Sequence, residues 1–165
     1  MFRGCLLAAT RKTSNATQMI TSGIIAAQST GATVLIPWFL SHLARLGQFK
    51  EAWGCIGEAI TAVETTKEKW CEAEIHRTAG EIALMSPDPD AAKAEAHFER
   101  ALAVAREQQA KSWELRAAMS MAQLWCDQAK RQQAHDLLAP IYGWFNEGFD
   151  TPVLKEAKAL LDLLT

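Results

Sequence analysis

The sequence has little glycine or proline and no long apolar run. Its 165 residues include 9 Gly and 5 Pro, whereas 49% are hydrophobic and alanine is abundant. This composition is typical of helical domains and argues against collagen, proline-rich linkers and most small β folds. The longest apolar run, Val34 to Leu40, is interrupted by Pro37 and is far shorter than the roughly 20 residues that cross a membrane. We therefore expect no membrane segment.

Neither an export signal nor a basic surface for nucleic acid is evident. The first apolar stretch, Cys5 to Ala9, is followed at once by Thr10, Arg11 and Lys12. A signal peptide needs an apolar region of about 7–15 residues, so we expect a cytoplasmic protein. The 17 Lys and Arg nearly balance the 19 Asp and Glu, giving a net charge of −2. Nucleic-acid-binding proteins usually carry a basic face, so we expect no nucleic-acid partner.

Catalytic signatures are also missing from the sequence. It contains no phosphate-binding loop, no dinucleotide fingerprint, no nucleophile elbow and no H-E-x-x-H zinc motif. The nearest approach to a metal site is Glu72 with His76, one helical turn apart, beside Cys71. Zinc requires three or four converging ligands, so packing is the more common role for such a pair. We predict no enzymatic activity, no cofactor and no metal.

One pattern recurs along the chain: an alanine, a large apolar residue four positions later, and a small or apolar residue three positions after that. The spacing places all three residues on one helical face, where the alanine permits close approach of a neighbouring helix. The alanines are 36, 42 and 40 residues apart. The four copies are Ala16-Ile20-Gly23, Ala52-Ile56-Ala59, Ala94-Phe98-Ala101 and Ala134-Leu138-Ile141.

Turn residues between these triplets predict helical hairpins. Gly47 and Ala129 each stand five residues before a repeat alanine and mark equivalent tight turns. A longer turn covers residues 86–90, where Asp88 can cap the next helix and Pro89 can occupy its first turn.

Helices are predicted at 5–11, 14–28, 33–46, 49–65, 67–85, 90–109, 111–128, 131–145 and 152–164. Short connections make sequential helices antiparallel neighbours, and stacked hairpins share a core. We predict an all-α fold, namely an α-solenoid of about four antiparallel helical hairpins that form one domain (1–165). Its units lie at about 1–29, 33–65, 67–109 and 111–146, and a C-terminal capping helix follows at 152–164.

These units resemble tetratricopeptide (TPR) repeats. The second unit carries Phe39-Leu40, Leu43, Gly47, Phe49, Ala52, Ile56 and Ala59, and the fourth carries Met121-Ala122, Trp125, Ala129, Ala134 and Leu138. The period is nearer 40 residues than the 34 of the TPR motif. Residues 72–84, 94–125 and 137–164 are further similar to the C-terminal TPR region of large bacterial regulators, which join a cyclase or DNA-binding domain to an ATPase module. This resemblance implies a helical sensor or interaction domain and brings no catalysis or nucleotide binding with it.

The resemblance also implies a binding surface, because the first helix of each TPR hairpin lines the concave groove. By matching positions, this groove would be lined by Val34, Pro37 and Ser41 from the second unit, Glu74, Arg77 and Glu81 from the third, and Arg116, Met119 and Gln123 from the fourth. Arg77 and Arg116 fall at near-equivalent positions and could clamp a partner's carboxylate. The alternative is that they pair with Glu74 and Glu81 across neighbouring helices.

The favoured function is a non-enzymatic protein–protein interaction module that takes a partner peptide or helix in its groove. The alternatives are a small-molecule-sensing domain, or a fragment of a larger signalling or transcriptional regulator. Solenoids need polar caps at both ends, yet residues 5–9 are apolar. This exposed end predicts self-association, most simply as a homodimer through the N-terminal end.

Overall fold

The computed structural model describes residues 19–20, 22–23, 40, 43–44, 47–66 and 69–165, which form helices and turns but no strand. The expected all-α class is confirmed for this part of the chain. None of the helices in these residues combines the length and the low charge needed to cross a bilayer. Six helices are bounded as α1 Phe49–Thr66, α2 Glu72–Met85, α3 Ala91–Glu107, α4 Lys111–Asp127, α5 Arg131–Tyr142 and α6 Pro152–Leu164.

The helix ends follow local chemistry, and two of them correct the sequence-based bounds. Helices α1, α3, α4 and α6 agree with the predicted spans to within two residues at each end. The helix predicted from residue 67 begins only at Glu72, because Trp70 lies in a turn closed by a hydrogen bond from the Glu72 N–H to the Lys69 carbonyl. The helix predicted to reach residue 145 ends at Tyr142. The Gly143 N–H still bonds to the carbonyl four positions earlier, but the N–H groups of Trp144 and Phe145 bond to carbonyls three positions earlier, so the α-helical pattern stops there.

The tight turns at Gly47 and Ala129 are equivalent, as predicted. Both residues adopt left-handed backbone, with φ of 76° and 60°. At each turn the N–H of this residue bonds to the carbonyl three positions earlier, and the next N–H bonds to the carbonyl five positions earlier, at 2.8–3.0 Å. This pair of bonds is the Schellman motif, and it recurs at Gln109, whose φ is 54°.

The connection between α2 and α3 differs from its prediction in one detail. The N-cap of α3 is Asp90, whose carboxylate accepts a hydrogen bond of 2.8 Å from the Lys93 N–H. Asp88, the predicted cap, lies two residues too early to reach the free N–H groups of the first turn. Pro89 accordingly precedes the cap instead of entering the helix.

The repeat triplets form the cores, as their spacing predicts. The alanines at 52, 94 and 134 are completely buried, and the large apolar residues four positions later are 2% exposed or less. Of the first triplet, Ile20 is buried and Gly23 is half-buried, whereas Ala16 lies outside the described residues. Consecutive helices pack against one another, and in addition α2 contacts α4 and α4 contacts α6. This packing is compatible with a helical bundle or a solenoid, and it brings α2, α4 and α6 to one surface.

Candidate functional site

A groove of about 480 Å³ lies where α2, α4 and α6 meet, with Phe98 of α3 beneath it. Each helix contributes residues three or four positions apart, which is the spacing of a single helical face. The groove is lined by Arg77, Glu81 and Leu84 of α2, by Arg116, Met119, Ser120, Gln123, Leu124 and Asp127 of α4, and by Val153, Glu156 and Leu160 of α6.

Most of the described residues that the resemblance assigned to a groove are found here. Arg77, Glu81, Arg116, Met119 and Gln123 line the groove directly. Glu74 is buried beside it and bonds to both arginines. The remaining three assigned positions, Val34, Pro37 and Ser41, lie outside the described residues.

The groove also contains residues that the sequence analysis missed. Helix α6 was assigned only as a cap, yet Val153, Glu156 and Leu160 form one wall of the groove. Asp127 was missed as well, although it continues the face of α4 one turn beyond Gln123. The signal for both was present in the three- and four-residue spacing, but nothing in the sequence indicates that α6 turns this face toward α4.

The two arginines of the groove are engaged within the protein. Arg77 forms a fork with Glu74, donating from Nε to Oε2 at 2.8 Å and from Nη2 to Oε1 at 2.7 Å. Its Nη1 donates to Glu81 and lies 3.4 Å from Ser120 Oγ. Arg116 of α4 donates to the same Glu74 Oε1 at 2.6 Å. The structure therefore has the arginines paired with Glu74 and Glu81, and all three nitrogens of Arg77 are already in use.

Burial and charge act in opposite directions on Arg77. Its side chain is only 12% exposed, and loss of water disfavours the charged guanidinium. The hydrogen bonds and negative charges of Glu74 and Glu81 outweigh this penalty and raise the pKa of Arg77 above its usual value. An incoming carboxylate would have to displace a buried, doubly bonded Glu74 to form a fork with Arg77.

Glu72 and His76, considered above as a metal pair, have other partners. Glu72 accepts a hydrogen bond of 2.7 Å from Arg100 of α3. His76 Nδ1 lies 3.3 Å from Nδ1 of His97, also on α3, and the His97 ring packs 5.7 Å from the Trp53 ring. The part of the chain that the structure describes contains no group of three or more metal-ligating side chains in reach of one ion.

The surroundings of the histidine pair disfavour its protonated form. Desolvation by burial, followed by the proximity of His97, lowers the pKa of His76 to about 4, against the opposing effect of Glu72. Burial and the positive charge of Lys93 likewise lower the pKa of His97. A hydrogen bond between two neutral imidazoles needs one ring to donate and the other to accept, so this contact between α2 and α3 is sensitive to protonation.

Comparisons of the chain with protein-family models, with curated proteins and with solved structures found no match. Its function is therefore inferred from the groove, the charges around it and the repeat pattern.

Proposed function

We propose that the chain is a TPR-like α-solenoid of helical hairpins that binds a peptide or helix of a protein partner in the groove between α2, α4 and α6. It would act in the cytoplasm as a non-enzymatic regulatory module, as its resemblance to the repeat region of bacterial regulators implies. The observation that carries the proposal is the groove itself, in which three helices each present one face to a channel with an apolar floor and a polar rim. Extended peptides and amphipathic helices are usual occupants of such grooves.

The direction of the helices supports the solenoid. Glu74 of α2 meets Arg116 of α4, and Glu81 further along α2 meets Ser120 further along α4, so the two helices run in the same direction. Between α2 and α3 the residue numbers instead rise in one helix as they fall in the other, as expected for the two arms of a hairpin. The contacts of this second kind are Glu72–Arg100 and His76–His97.

The shape of the groove favours a segment of a protein over a small molecule. Small-molecule sites bury most of the ligand's surface, whereas this groove is open to solvent and has walls from three helices. The sequence also lacks a nucleophile–base arrangement for catalysis. These observations favour an interaction module over the alternatives of a small-molecule sensor or an enzyme.

Selection of helical peptides from a displayed library on the immobilised protein tests the proposal. Met119 is a half-buried residue that lines the groove, and a Met119→Gln change keeps its length while removing its apolar contact. We expect selected peptides to bind this variant about tenfold more weakly, since burial of one apolar side chain contributes on the order of 1.5 kcal/mol. Gln133→Ala, at an exposed position of α5 outside the groove, is the matched control. A library that yields no binder, or binders that do not distinguish the two variants, would contradict the proposal.

Self-association through the apolar residues 5–9 stays a prediction, since these residues lie outside the described part of the chain. Light scattering over a range of protein concentrations tests it. A mass of one chain at the highest concentration would refute it.

A further inference from the structure

The charges of the groove favour a partner segment that carries positive charge. We propose that the groove docks a cationic amphipathic helix of a protein partner, whose apolar face is edged by Lys or Arg. This inference rests on the proposed function, because it names the chemistry of the segment that the same groove binds.

The floor of the groove fits the apolar face of such a helix. Met119 and Leu124 of α4 lie between Leu84 of α2 and the apolar residues of α6, Val153 and Leu160. An amphipathic helix docks by placing its apolar side chains, spaced three and four residues apart, into a groove of this kind. The floor accounts for affinity but not for the sign of charge that the partner carries.

The positive groups of the groove are already neutralised by the protein. Arg77 is bonded to Glu74 and Glu81, and Arg116 is bonded to Glu74. A partner carboxylate would gain little from Arg77, because all three of its side-chain nitrogens already donate to Glu74 or Glu81. Arg116 is 39% exposed and donates to Glu74 from Nη2, so a partner carboxylate there would share its charge with Glu74. An acidic segment is thus disfavoured, even though two arginines line the groove.

The negative groups, in contrast, are left for a partner. Asp127 is exposed, and the one side-chain hydrogen bond that it accepts from the described residues is neutral, from the amide Nε2 of Gln123 at 3.1 Å. Glu156 of α6 is also exposed and lines the same groove. Among the described residues, no nitrogen of Lys, Arg or His lies within 4.0 Å of either carboxylate. These two groups can pair with a cation without breaking any existing ion pair.

The C-termini of α2 and α4 add to this negative field, whereas the N-terminus of α6, next to Val153, contributes a field of opposite sign elsewhere in the groove. Leu84 and Asp127 lie in the last turns of α2 and α4, which end at Met85 and Asp127. The C-terminus of a helix carries the equivalent of about half a negative charge. When Glu74 is included, the groove has four carboxylates and two guanidiniums, which gives a formal charge of −2. The carboxylates are those of Glu74, Glu81, Asp127 and Glu156, and the guanidiniums are those of Arg77 and Arg116. Its end near Asp127 is therefore the place for a lysine or arginine of the partner.

Two synthetic amphipathic helices of about 15 residues serve as probes. They share the same leucine positions and differ only in carrying Lys or Glu on the polar positions. Fluorescence anisotropy at ~50 and ~300 mM salt measures their affinity, since pairing at an exposed rim weakens with ionic strength. We expect the Lys peptide to bind at least tenfold more tightly than the Glu peptide at the lower salt concentration.

A double change, Asp127→Asn with Glu156→Gln, then locates the source of this preference. We expect it to weaken the Lys peptide about fivefold, as two exposed ion pairs allow. The control is Glu99→Gln with Glu107→Gln, which removes the same charge from exposed positions of α3 outside the groove and should change affinity less than twofold.

The outcomes separate this inference from the proposed function. If the Glu peptide binds as well as the Lys peptide and Met119→Gln weakens both, the groove binds helices but the inferred charge preference is wrong. The inference is also wrong if the Asp127 and Glu156 variant binds the Lys peptide as tightly as the wild type does. If neither peptide binds, both the inference and the proposed function are overturned.

Discussion

Gly80 of α2 is the position where adding one methyl group should disturb the packing most. A Cβ built on Gly80 would lie 2.4 Å from Cε1, 2.7 Å from Cδ1 and 2.9 Å from Cζ of Phe98. Nonbonded carbon atoms are most favourably about 3.5–4.0 Å apart. The Phe98 ring is fully buried, so it cannot move by the required ångström without displacing its neighbours.

The expected effect of Gly80→Ala is the sum of two opposing contributions. In a helix interior, Ala is favoured over Gly by about 1 kcal/mol. Overpacking a well-filled core costs about 1–3 kcal/mol and sometimes more. Since all three ring atoms would be closer than any ordinary contact, we expect the overpacking cost to lie in the upper part of this range and to outweigh propensity, with a net loss of about 1–2 kcal/mol. In a chain of this length that loss lowers Tm by about 2–8 °C.

Gly57 of α1 provides a matched control for this experiment. It is exposed and helical, and a Cβ built there meets nothing within 4 Å. Gly57→Ala should therefore show the propensity gain alone, about 0.5–1 kcal/mol. We therefore expect Gly→Ala to lower the free energy of unfolding at position 80 and to raise it at position 57.

Thermal and urea unfolding followed by circular dichroism measure both variants. A double-mutant cycle with Phe98→Leu tests the cause, because a smaller side chain at 98 should relieve the clash and give a coupling of about 1 kcal/mol or more. If Gly80→Ala is as stabilising as Gly57→Ala, α2 does not approach α3 as closely as the structure shows, and the reasoning is refuted.

Three further predictions concern single residues. Because the pKa of His76 is lowered to about 4, the folded protein should keep its full stability above about pH 6.5 and lose roughly 2 kcal/mol, after allowance for solvent screening, as the pH falls toward 4. A His76→Gln variant should lose less free energy of unfolding than the wild type over the same pH range, as measured by urea unfolding at each pH. If the two proteins lose the same amount, the assignment to His76 is refuted. Asp90→Ala removes the α3 cap on the Lys93 N–H and should cost about 1 kcal/mol in urea unfolding; no loss would mean that water replaces the cap. Ala129→Gly relieves a positive φ and should stabilise the protein by roughly 0.5 kcal/mol, whereas a lower Tm would show that the Ala129 methyl group packs usefully in the turn.

The helices could be predicted from the sequence because each buries one periodic face. The alanine triplets have this periodicity, and the three triplets that lie wholly within the described residues are buried as expected. Gly47 could be recognised from its residue type, and Ala129 from its matching distance to a repeat alanine. Asp90 could not be chosen over Asp88, because both are good caps and only the register of the loop decides between them.

The groove was predictable in part, for a related reason. The resemblance to TPR repeats placed Arg77 and Arg116 in one groove, but it left open whether they bind a partner's carboxylate or pair with Glu74 and Glu81 within the protein. That choice depends on Glu74 reaching both guanidiniums, a distance set by how α2 and α4 pack. The wall formed by α6 was missed because its position depends on the loop after α5, whose path has no sequence period.

Buried carboxylates hold three helices in one register. In the described part of the chain, Glu72, Glu74 and Glu114 are buried, and each pairs with an arginine of another helix. These pairs are Glu72–Arg100 between α2 and α3 (2.7 Å), Glu74–Arg116 between α2 and α4 (2.6 Å), and Glu114–Arg106 between α4 and α3 (2.9 Å).

Desolvation offsets much of the attraction within a buried pair, but a carboxylate left without its partner costs several kcal/mol. The pairs therefore oppose sliding of the helices more than they add net stability. Because the same register keeps both guanidiniums of the groove on Glu74, the carboxylates that remain give the groove a negative charge, and the proposed preference for a cationic partner depends on how these helices pack.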